Sequence, residues 1–330
     1  MPCGHEEWSG RIRSDGHRLG ASLRDRLLST RPGYIVTALA ILACKADCVA
    51  QELEPRAYSI SPTGMNFGIV AFTRSAGDIG FDAALPIEDA NAVLHGTFFA
   101  YGRSVEFLGR SGSIAVALPY IWGEIQANID GIPQQARRSG LANPAVRFAV
   151  NLYGAPAMDV ETFAKYRQTT NLGASVVIVP PLGQYDPAKL INIGTNRWGA
   201  KPEIGISRRF GDWYLDLYVG AWLFSANNNY HGRVRSQGPI ASAEVHVSYN
   251  FKPRLWAAFD ANFYTGGRTA IDGVARADLQ RNSRLGATIS IPVTRRQSVK
   301  FSGSTGAVTN IGADFVSIGV AYQYLWGRGL

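Results

Sequence analysis

Cysteine is nearly missing from this chain of 330 residues. The three cysteines all lie within the first 50 residues: Cys3, Cys44 and Cys48. Their absence from the rest of the chain excludes a disulfide framework and a structural zinc site built from cysteines there. The histidines beyond residue 50 are scattered along the chain: His95, His231 and His246. We therefore predict no metal site and no other cofactor.

Long apolar runs and blocks of one charge are also missing. Beyond residue 51 no apolar run reaches the length of about 18 residues that marks a transmembrane helix. The formal net charge of +8 is modest for the length, and no Lys/Arg block is long enough for a nucleic-acid surface. With 46% hydrophobic residues, the chain is too apolar to be disordered. The sequence therefore predicts a folded protein without a nucleic-acid partner.

The first 50 residues resemble a targeting segment. Arg-rich residues 1–33 precede the apolar run YIVTALAILAC at 34–44, and small residues follow. This order is typical of a secretory signal peptide, and the run is shorter than the roughly 20 residues of a membrane-spanning helix. We predict that residues 1–50 are a signal peptide with an N-terminal extension, cleaved after Ala50, and that residues 51–330 form one domain. A short buried helix and a lipoprotein box ending at Cys44 are the alternatives.

Period-two alternation dominates the rest of the chain. In SAEVHVSYNF, residues 242–251, Val245, Val247 and Tyr249 alternate with Glu244 and His246. Twelve such segments begin near residues 64, 93, 112, 140, 168, 196, 212, 238, 254, 280, 297 and 313. Most run for about 11 to 15 residues, whereas strands of soluble proteins average about 5 to 6 and strands that cross a bilayer need about 9 to 11. These lengths favour strands that cross a membrane.

Short and long connections alternate between these segments. LGRSG, FGDW, KPR and TRRQ are short, and most others are long and rich in Gly, Asp, Asn and Arg. One exception on the short side, residues 153–168, predicts a small helix beginning at Asp159. This alternation is typical of outer-membrane barrels, whose sheet must close because lipid cannot satisfy free backbone groups. We predict an all-β fold, a transmembrane antiparallel β-barrel of about 12 strands; a soluble β-sandwich is the alternative.

Aromatic residues gather near the segment ends, as the aromatic girdles at membrane interfaces predict. The residues are Tyr120, Trp122, Trp198, Trp213, Tyr249, Tyr264, Tyr324 and Trp326. Aromatic residues also favour strands in general, so this observation alone does not separate a membrane strand from a soluble one.

The polar face of each segment supplies the candidate lumen residues. In a barrel in lipid the apolar face meets acyl chains and the polar face points inward. Nine charged or ionisable residues fall on this inward register: Arg147, Lys201, Glu203, Asp216, Glu244, His246, Asp260, Arg284 and Lys300. Both signs are present, so we expect them to pair across strands, to narrow the pore and to set its selectivity. By position, the segment from Gln51 to Thr63 could fold into this lumen.

His246 and Ser248 share a strand face, with Asp260 and Asn262 on the next predicted strand. Outer-membrane phospholipases use a His and a Ser at this spacing with a neighbouring Asn, as a base and its nucleophile. However, these residues fall on the inward face rather than on the lipid-facing wall. A polar lumen wall is the interpretation we favour, and we predict no catalytic residue.

Several stretches resemble one known family. ELEPRAYSISPTGMNF, GLANPAVRFAVNLYGAPAM, PPLGQYDPAKLINIGTNRW, FYTGGRTAIDG and QRNSRLGATISIPV are similar to the transporter-like outer-membrane family named for the meta pathway of phenol degradation. The resemblance covers about residues 52 to 327. It implies an outer-membrane β-barrel of a Gram-negative bacterium that takes up hydrophobic or aromatic compounds, and it supplies no catalytic residues. The long N-terminal lead departs from the family pattern.

Together these observations predict a passive outer-membrane channel or transporter, and not an enzyme. The predicted solutes are small hydrophobic or aromatic compounds. The expected partners are membrane lipid and lipopolysaccharide, a small-molecule solute, and the barrel-assembly machinery, which would bind the C-terminal strand. A structural or adhesive barrel with a plugged lumen is one alternative function, and an outer-membrane hydrolase is the second.

Overall fold

The computed structural model describes residues 53–80, 87–189 and 191–327. The predicted signal peptide at residues 1–50 and its cleavage point lie outside these residues, as do Gln51 and Glu52 of the segment that we expect in the lumen.

Strands make up most of the described chain, which contains seventeen of them and one short helix. The first eight strands are β1 (Asn66–Gly80), β2 (Ile87–Phe107), β3 (Arg110–Ile129), β4 (Ile132–Leu141), β5 (Ala145–Tyr153), β6 (Thr170–Val179), β7 (Gly199–Phe210) and β8 (Trp213–Phe224). The others are β9 (Asn227–Tyr230), β10 (Arg233–Gln237), β11 (Ile240–Lys252), β12 (Leu255–Gly266), β13 (Thr269–Ile271), β14 (Val274–Ala275), β15 (Gln280–Pro292), β16 (Gln297–Val308) and β17 (Gly312–Trp326). The helix, α1, spans Val160–Lys165.

Twelve of these strands close into an antiparallel barrel. The order around the wall is β1, β2, β3, β5, β6, β7, β8, β11, β12, β15, β16 and β17. β1 closes the ring by pairing with β17 along its whole length, from Asn66 opposite Trp326 to Gly80 opposite Gly312. The predicted barrel is confirmed, since the sheet closes on itself instead of forming the two sheets of a sandwich.

Burial along β11 shows that the barrel is inside-out relative to a water-soluble sheet. Val245 and Val247 are 42% and 37% exposed, whereas Glu244 and His246 are 4% and 0% exposed. Apolar side chains therefore cover the outer wall, where acyl chains replace water, and polar side chains fill the interior. This is the arrangement that a closed sheet adopts in lipid.

Tyr264 was predicted to lie in an aromatic girdle, and that prediction is wrong. The side chain is 1% exposed and its hydroxyl accepts a hydrogen bond from Asn282 Nδ2 at 3.2 Å. Because side chains alternate along a strand, Tyr264 shares the inward face of β12 with Asp260 and Asn262. By contrast, Trp213 is 53% exposed on the outer wall.

β2 and β3 are longer than the sequence pattern predicts, with 21 and 20 residues. The far part of β3 pairs with β4 instead of ending at the barrel rim, from Ile129 opposite Ile132 to Tyr120 opposite Leu141. The stretch NIDGIPQQARRSG, one of the connections that the sequence pattern predicts to be long, therefore holds the turn of a hairpin and most of β4. Its turn residues Asp130 and Gly131 have φ of 51° and 74°, as a two-residue hairpin turn requires.

The two ends of the barrel differ as predicted. At one end, here called the short-turn end, β2–β3, β7–β8, β11–β12 and β15–β16 are joined by tight turns. α1 is the exception at this end, and the Oδ1 of its N-cap residue Asp159 accepts a hydrogen bond from the Thr162 amide at 2.8 Å. That hydrogen bond lowers the pKa of Asp159, and it confirms the predicted start of the helix.

At the opposite end, the long-loop end, most connections are long and some contain short strands; β16 and β17 are the exception, joined only by residues 309–311. β9, β10, β13 and β14 form a separate four-stranded sheet there. In the connection between β6 and β7, Ile191 packs against buried apolar side chains of the wall, including Ile129 and Phe315. Among the described residues, no helix is long and apolar enough to cross a membrane.

The outward register predicts how charge will be tolerated on β11. Val247→Arg places a charge against acyl chains, so we expect the free energy of unfolding to fall by about 2 to 4 kcal/mol. Phe251→Arg lies at the short-turn end of the strand and should cost at most about 1 kcal/mol. Denaturant unfolding in lipid vesicles measures both values, and equal costs at the two positions would contradict the membrane register.

Candidate functional site

A buried ion-pair cluster lies in the middle of the lumen. Lys201 Nζ on β7 lies 2.6 Å from Glu203 Oε2 and 2.9 Å from Glu244 Oε1 on β11. β8 runs between these two strands, and the missing side chain of Gly220 leaves room for Lys201 and Glu203 to meet over it. Each carboxylate faces the ammonium group, which offsets the desolvation of burying the three charges.

Histidine continues this cluster across the next strand. His246 Nε2 lies 3.5 Å from Glu244 Oε2, and its Nδ1 lies 2.7 Å from Asp260 Oδ1 on β12. Asp260 Oδ2 accepts a hydrogen bond from the Thr288 hydroxyl on β15 at 3.1 Å. A continuous polar row therefore runs from β7 to β15 along the inner wall.

Residues 53–63, here called the N-terminal segment, enter the lumen and meet this row. Tyr58 is 2% exposed, and its hydroxyl donates to Glu203 Oε1 at 3.0 Å. Asn171 Nδ2 on β6 donates to the Tyr58 carbonyl at 2.9 Å. Gly173 and Gly205 make the space for the ring, because a Cβ on either would lie 2.2 or 2.4 Å from Tyr58 carbon atoms. The segment expected in the lumen from its position is there.

Arg56 anchors the N-terminal segment nearer the short-turn end. Its guanidinium carbon lies 4.7 Å from the ring centre of Tyr214 and 4.4 Å from that of Trp256. Its Nε donates to Ser248 Oγ at 2.9 Å and its Nη2 to Asn250 Oδ1 at 2.8 Å. Aromatic faces and oxygen acceptors together suit a planar cation.

All nine residues proposed from the sequence lie on the inward register, but they do not form one site. Five of them form the row described above: Lys201, Glu203, Glu244, His246 and Asp260. Asp216 lies opposite His246 on β8 and accepts a hydrogen bond from the Arg56 amide at 3.3 Å. Arg147 donates to the Ala57 carbonyl at 3.2 Å.

The last two of the nine belong to other parts of the wall. Arg284 Nη2 donates to the Phe315 carbonyl at 2.8 Å, which ties β15 to β17. Lys300 Nζ lies 5.7 Å from the ring centre of Trp256. The role of the nine residues in solute selectivity stays a prediction.

Sequence reasoning missed several residues that complete the site. Ser175, Tyr218 and Thr288 contact the N-terminal segment or the polar row, and the period-two alternation places them on the inward register. They were missed because only charged residues and one histidine were taken as candidates. Arg56 and Tyr58 belong to no strand, so no periodic signal marks them.

The arrangement around His246 does not match a serine hydrolase. Ser248 Oγ accepts a hydrogen bond from Arg56, and the two histidine nitrogens face the carboxylates of Asp260 and Glu244. His246 and Ser248 are 0% and 1% exposed, so neither reaches the lipid-facing wall. Within the described ranges, no group of three or more His, Cys, Asp or Glu residues is arranged to hold a metal ion.

Comparisons with known proteins agree with this architecture. A family model described as "Putative MetA-pathway of phenol degradation" matches residues 73–326. The structure is similar to an outer membrane channel from Pseudomonas putida F1, with a TM-score of 0.67 and 18% identity over 83% of this chain and 100% of that chain. At this identity the likeness is one of fold. Among curated proteins, none matches the sequence significantly.

Two further solved structures have lower TM-scores. The beta domain of the Bordetella autotransporter BrkA has a TM-score of 0.47 and 13% identity, over 80% of this chain and 100% of that chain. The transport unit of the autotransporter AIDA-I from Escherichia coli also has a TM-score of 0.47, with 10% identity over 90% of this chain and 98% of that chain.

Removal of the buried cation of the ion-pair cluster should cost more stability than removal of an exposed paired cation. Lys201→Met removes the ammonium group that pairs with both Glu203 and Glu244, so we expect the free energy of unfolding to fall by about 3 kcal/mol. Lys189 also pairs with a carboxylate, that of Asp186, but both side chains are exposed, and Lys189→Met should cost less than about 1 kcal/mol. Denaturant titration of both variants in vesicles measures the difference. Equal stability of the two would mean that the buried cluster does not depend on its ammonium group.

Proposed function

Because the chain belongs to the family of the meta pathway of phenol degradation, we propose that its barrel is a passive uptake channel for small hydrophobic or aromatic compounds. The observation that carries this proposal is the polar, charged inner wall of a barrel whose outer wall is apolar. Such a wall offers the polar or ionised group of a solute, such as the carboxylate of toluate, a route across the membrane that the lipid itself does not.

The protein is a β-barrel of the bacterial outer membrane. Its exterior is apolar, its sheet is closed and its connections alternate between tight turns and long loops. Lipid and lipopolysaccharide are therefore its surroundings. By the usual orientation of such barrels, the short-turn end faces the periplasm and the long-loop end faces the outside.

Unpaired polar groups in the lumen support the proposal of a hydrated path. Asn262 is 3% exposed, and neither its Oδ1 nor its Nδ2 is hydrogen-bonded to another described residue. Buried amides in proteins nearly always find a partner, in many cases water. We therefore expect water beside Asn262, between the polar row and Arg284, which lies opposite Asn262 on β15.

The polarity of the lumen changes with depth from the long-loop end, and this change bears on which solutes fit. Apolar side chains, among them Ile129, Ile191 and Phe315, form a cluster at the long-loop end, and charged residues follow deeper in the lumen. Amphiphilic aromatic compounds such as phenol or toluate suit this order, since the ring can contact the apolar part and the polar group the charged part. Wall residues would then set selectivity, as in other narrow pores.

A structural or adhesive barrel is the second candidate. The observation that favours it is the N-terminal segment, which fills part of the lumen through Arg56 and Tyr58. In that case the long loops would carry the function. We also propose, from the position of β17 at the barrel seam, that the C-terminal strand is recognised by the barrel-assembly machinery.

Solute entry into liposomes that contain the refolded barrel tests the channel. Gly173→Ala adds a methyl group where the Tyr58 ring lies and leaves every lumen charge in place. We expect the ring to be displaced and the entry of toluate, whose carboxylate bare lipid excludes, to rise severalfold over that of the unaltered protein. Glu244→Gln or Arg284→Gln should change the relative rates for toluate and phenol.

Gly199→Ala is the matched control on the inward register, because a Cβ at Gly199 would meet its neighbours at 3.5 Å or more and should leave entry unchanged. Entry no faster than in protein-free liposomes, for Gly173→Ala as well as for the unaltered protein, would reject the channel and favour the plugged barrel.

A further inference from the structure

The place that holds Arg56 is built by the barrel wall. Tyr214, Ser248, Asn250 and Trp256, here called the wall pocket, come from three neighbouring strands, β8, β11 and β12. The guanidinium carbon lies within 5 Å of both ring centres, and the two side-chain oxygens accept its N–H groups. A flat cation fits this geometry better than a compact ammonium ion, whose donors do not lie in one plane.

The occupant, by contrast, does not belong to the wall. Residues 53–63 contain no strand or helix, so no ladder of backbone hydrogen bonds fixes them as β-pairing fixes the pocket. Arg56 itself has a φ of 64°, in the left-handed region that side chains with a Cβ disfavour. The side-chain contacts in the wall pocket must therefore offset an unfavourable backbone conformation.

Two other cations lower the affinity of the wall pocket for Arg56. Arg209 lies 5.6 Å from the ring centre of Tyr214, and Lys300 lies 5.7 Å from that of Trp256. Three positive charges thus share two rings and repel one another. The Asp216 carboxylate, which accepts from the Arg56 amide, offsets part of this repulsion. A free cation of the same shape could compete for such a pocket without the backbone strain.

We propose that the wall pocket is a binding site for guanidinium compounds that enter the lumen, and that Arg56 occupies it as a tethered ligand. A guanidinium compound that displaces Arg56 releases the N-terminal segment from the wall. This inference goes beyond the proposed uptake function, because it concerns a ligand that binds the barrel and not the solutes that cross it.

Chemical labelling of the N-terminal segment tests the proposal without any measurement of flux. Cys3, Cys44 and Cys48 are replaced by Ser, and Ala57→Cys introduces one thiol next to Arg56. The main-chain atoms of Ala57 are hydrogen-bonded to Tyr218 and Arg147, so the thiol should react slowly with a charged maleimide while the segment is docked. Methylguanidinium chloride at millimolar concentration should raise the labelling rate severalfold, and sodium chloride at the same concentration should not.

Three substitutions in this background separate the wall pocket from the rest of the docking surface. Arg56→Ala should raise the rate about tenfold or more without any ligand, since two cation–π contacts and two charged hydrogen bonds are lost. Trp256→Leu should raise the rate and abolish the response to methylguanidinium. Arg147→Ala, which loosens Tyr58 but leaves the wall pocket intact, should raise the rate and keep the response.

The proposal is overturned if methylguanidinium does not raise the labelling rate of the Ala57→Cys protein while the Arg56→Ala substitution does, because Arg56 would then be only an anchor. It is also overturned by equal responses of Trp256→Leu and Arg147→Ala, or by a response to phenol as large as that to methylguanidinium. If no solute entered the liposomes but methylguanidinium still raised the labelling rate, the uptake channel would be rejected and the wall pocket would still be supported.

Discussion

The backbone has no water to bond with in the interior of a membrane, and the rest of this structure depends on that constraint. A sheet in lipid must pair every strand on both sides, so the first and last strands, β1 and β17, meet and close the ring. Closure then separates two surfaces of opposite polarity. The outward side chains become the lipid-facing apolar wall, and the inward side chains line a narrow space crowded with polar groups.

Charges in that space must neutralise one another, because each costs free energy to desolvate. Lys201 serves Glu203 and Glu244 at once, and Asp260 lies against His246. Small residues on the inner wall decide where such groups can meet, as Gly220 does for the ammonium group and as Gly173 does for Tyr58. The positions of the polar row and of the N-terminal segment therefore both depend on where glycine leaves space on the inner wall.

The sequence predicted the barrel well because its signal is periodic. Alternation along β11 or β17 survives in the structure almost residue by residue, since only one register exposes Val245 to lipid and hides Glu244. The same rule places Tyr264 inside, against our expectation from its position at a strand end. The pair Asp130 and Gly131 is typical of a hairpin turn, but we interpreted their stretch only as a long connection. The contacts of Arg56 could not be predicted, because they join a segment without periodicity to three strands far along the chain.

The position of the N-terminal segment has a consequence for the order of assembly. Tyr58 lies in the segment before β1, which forms the seam with β17, yet its ring lies against β6 and β7 on another side of the wall. The N-terminal segment can dock only after β6 and β7 have paired. Filling of the interior is thus a late event, and the beginning of the domain takes its final position only after the middle of the chain has folded.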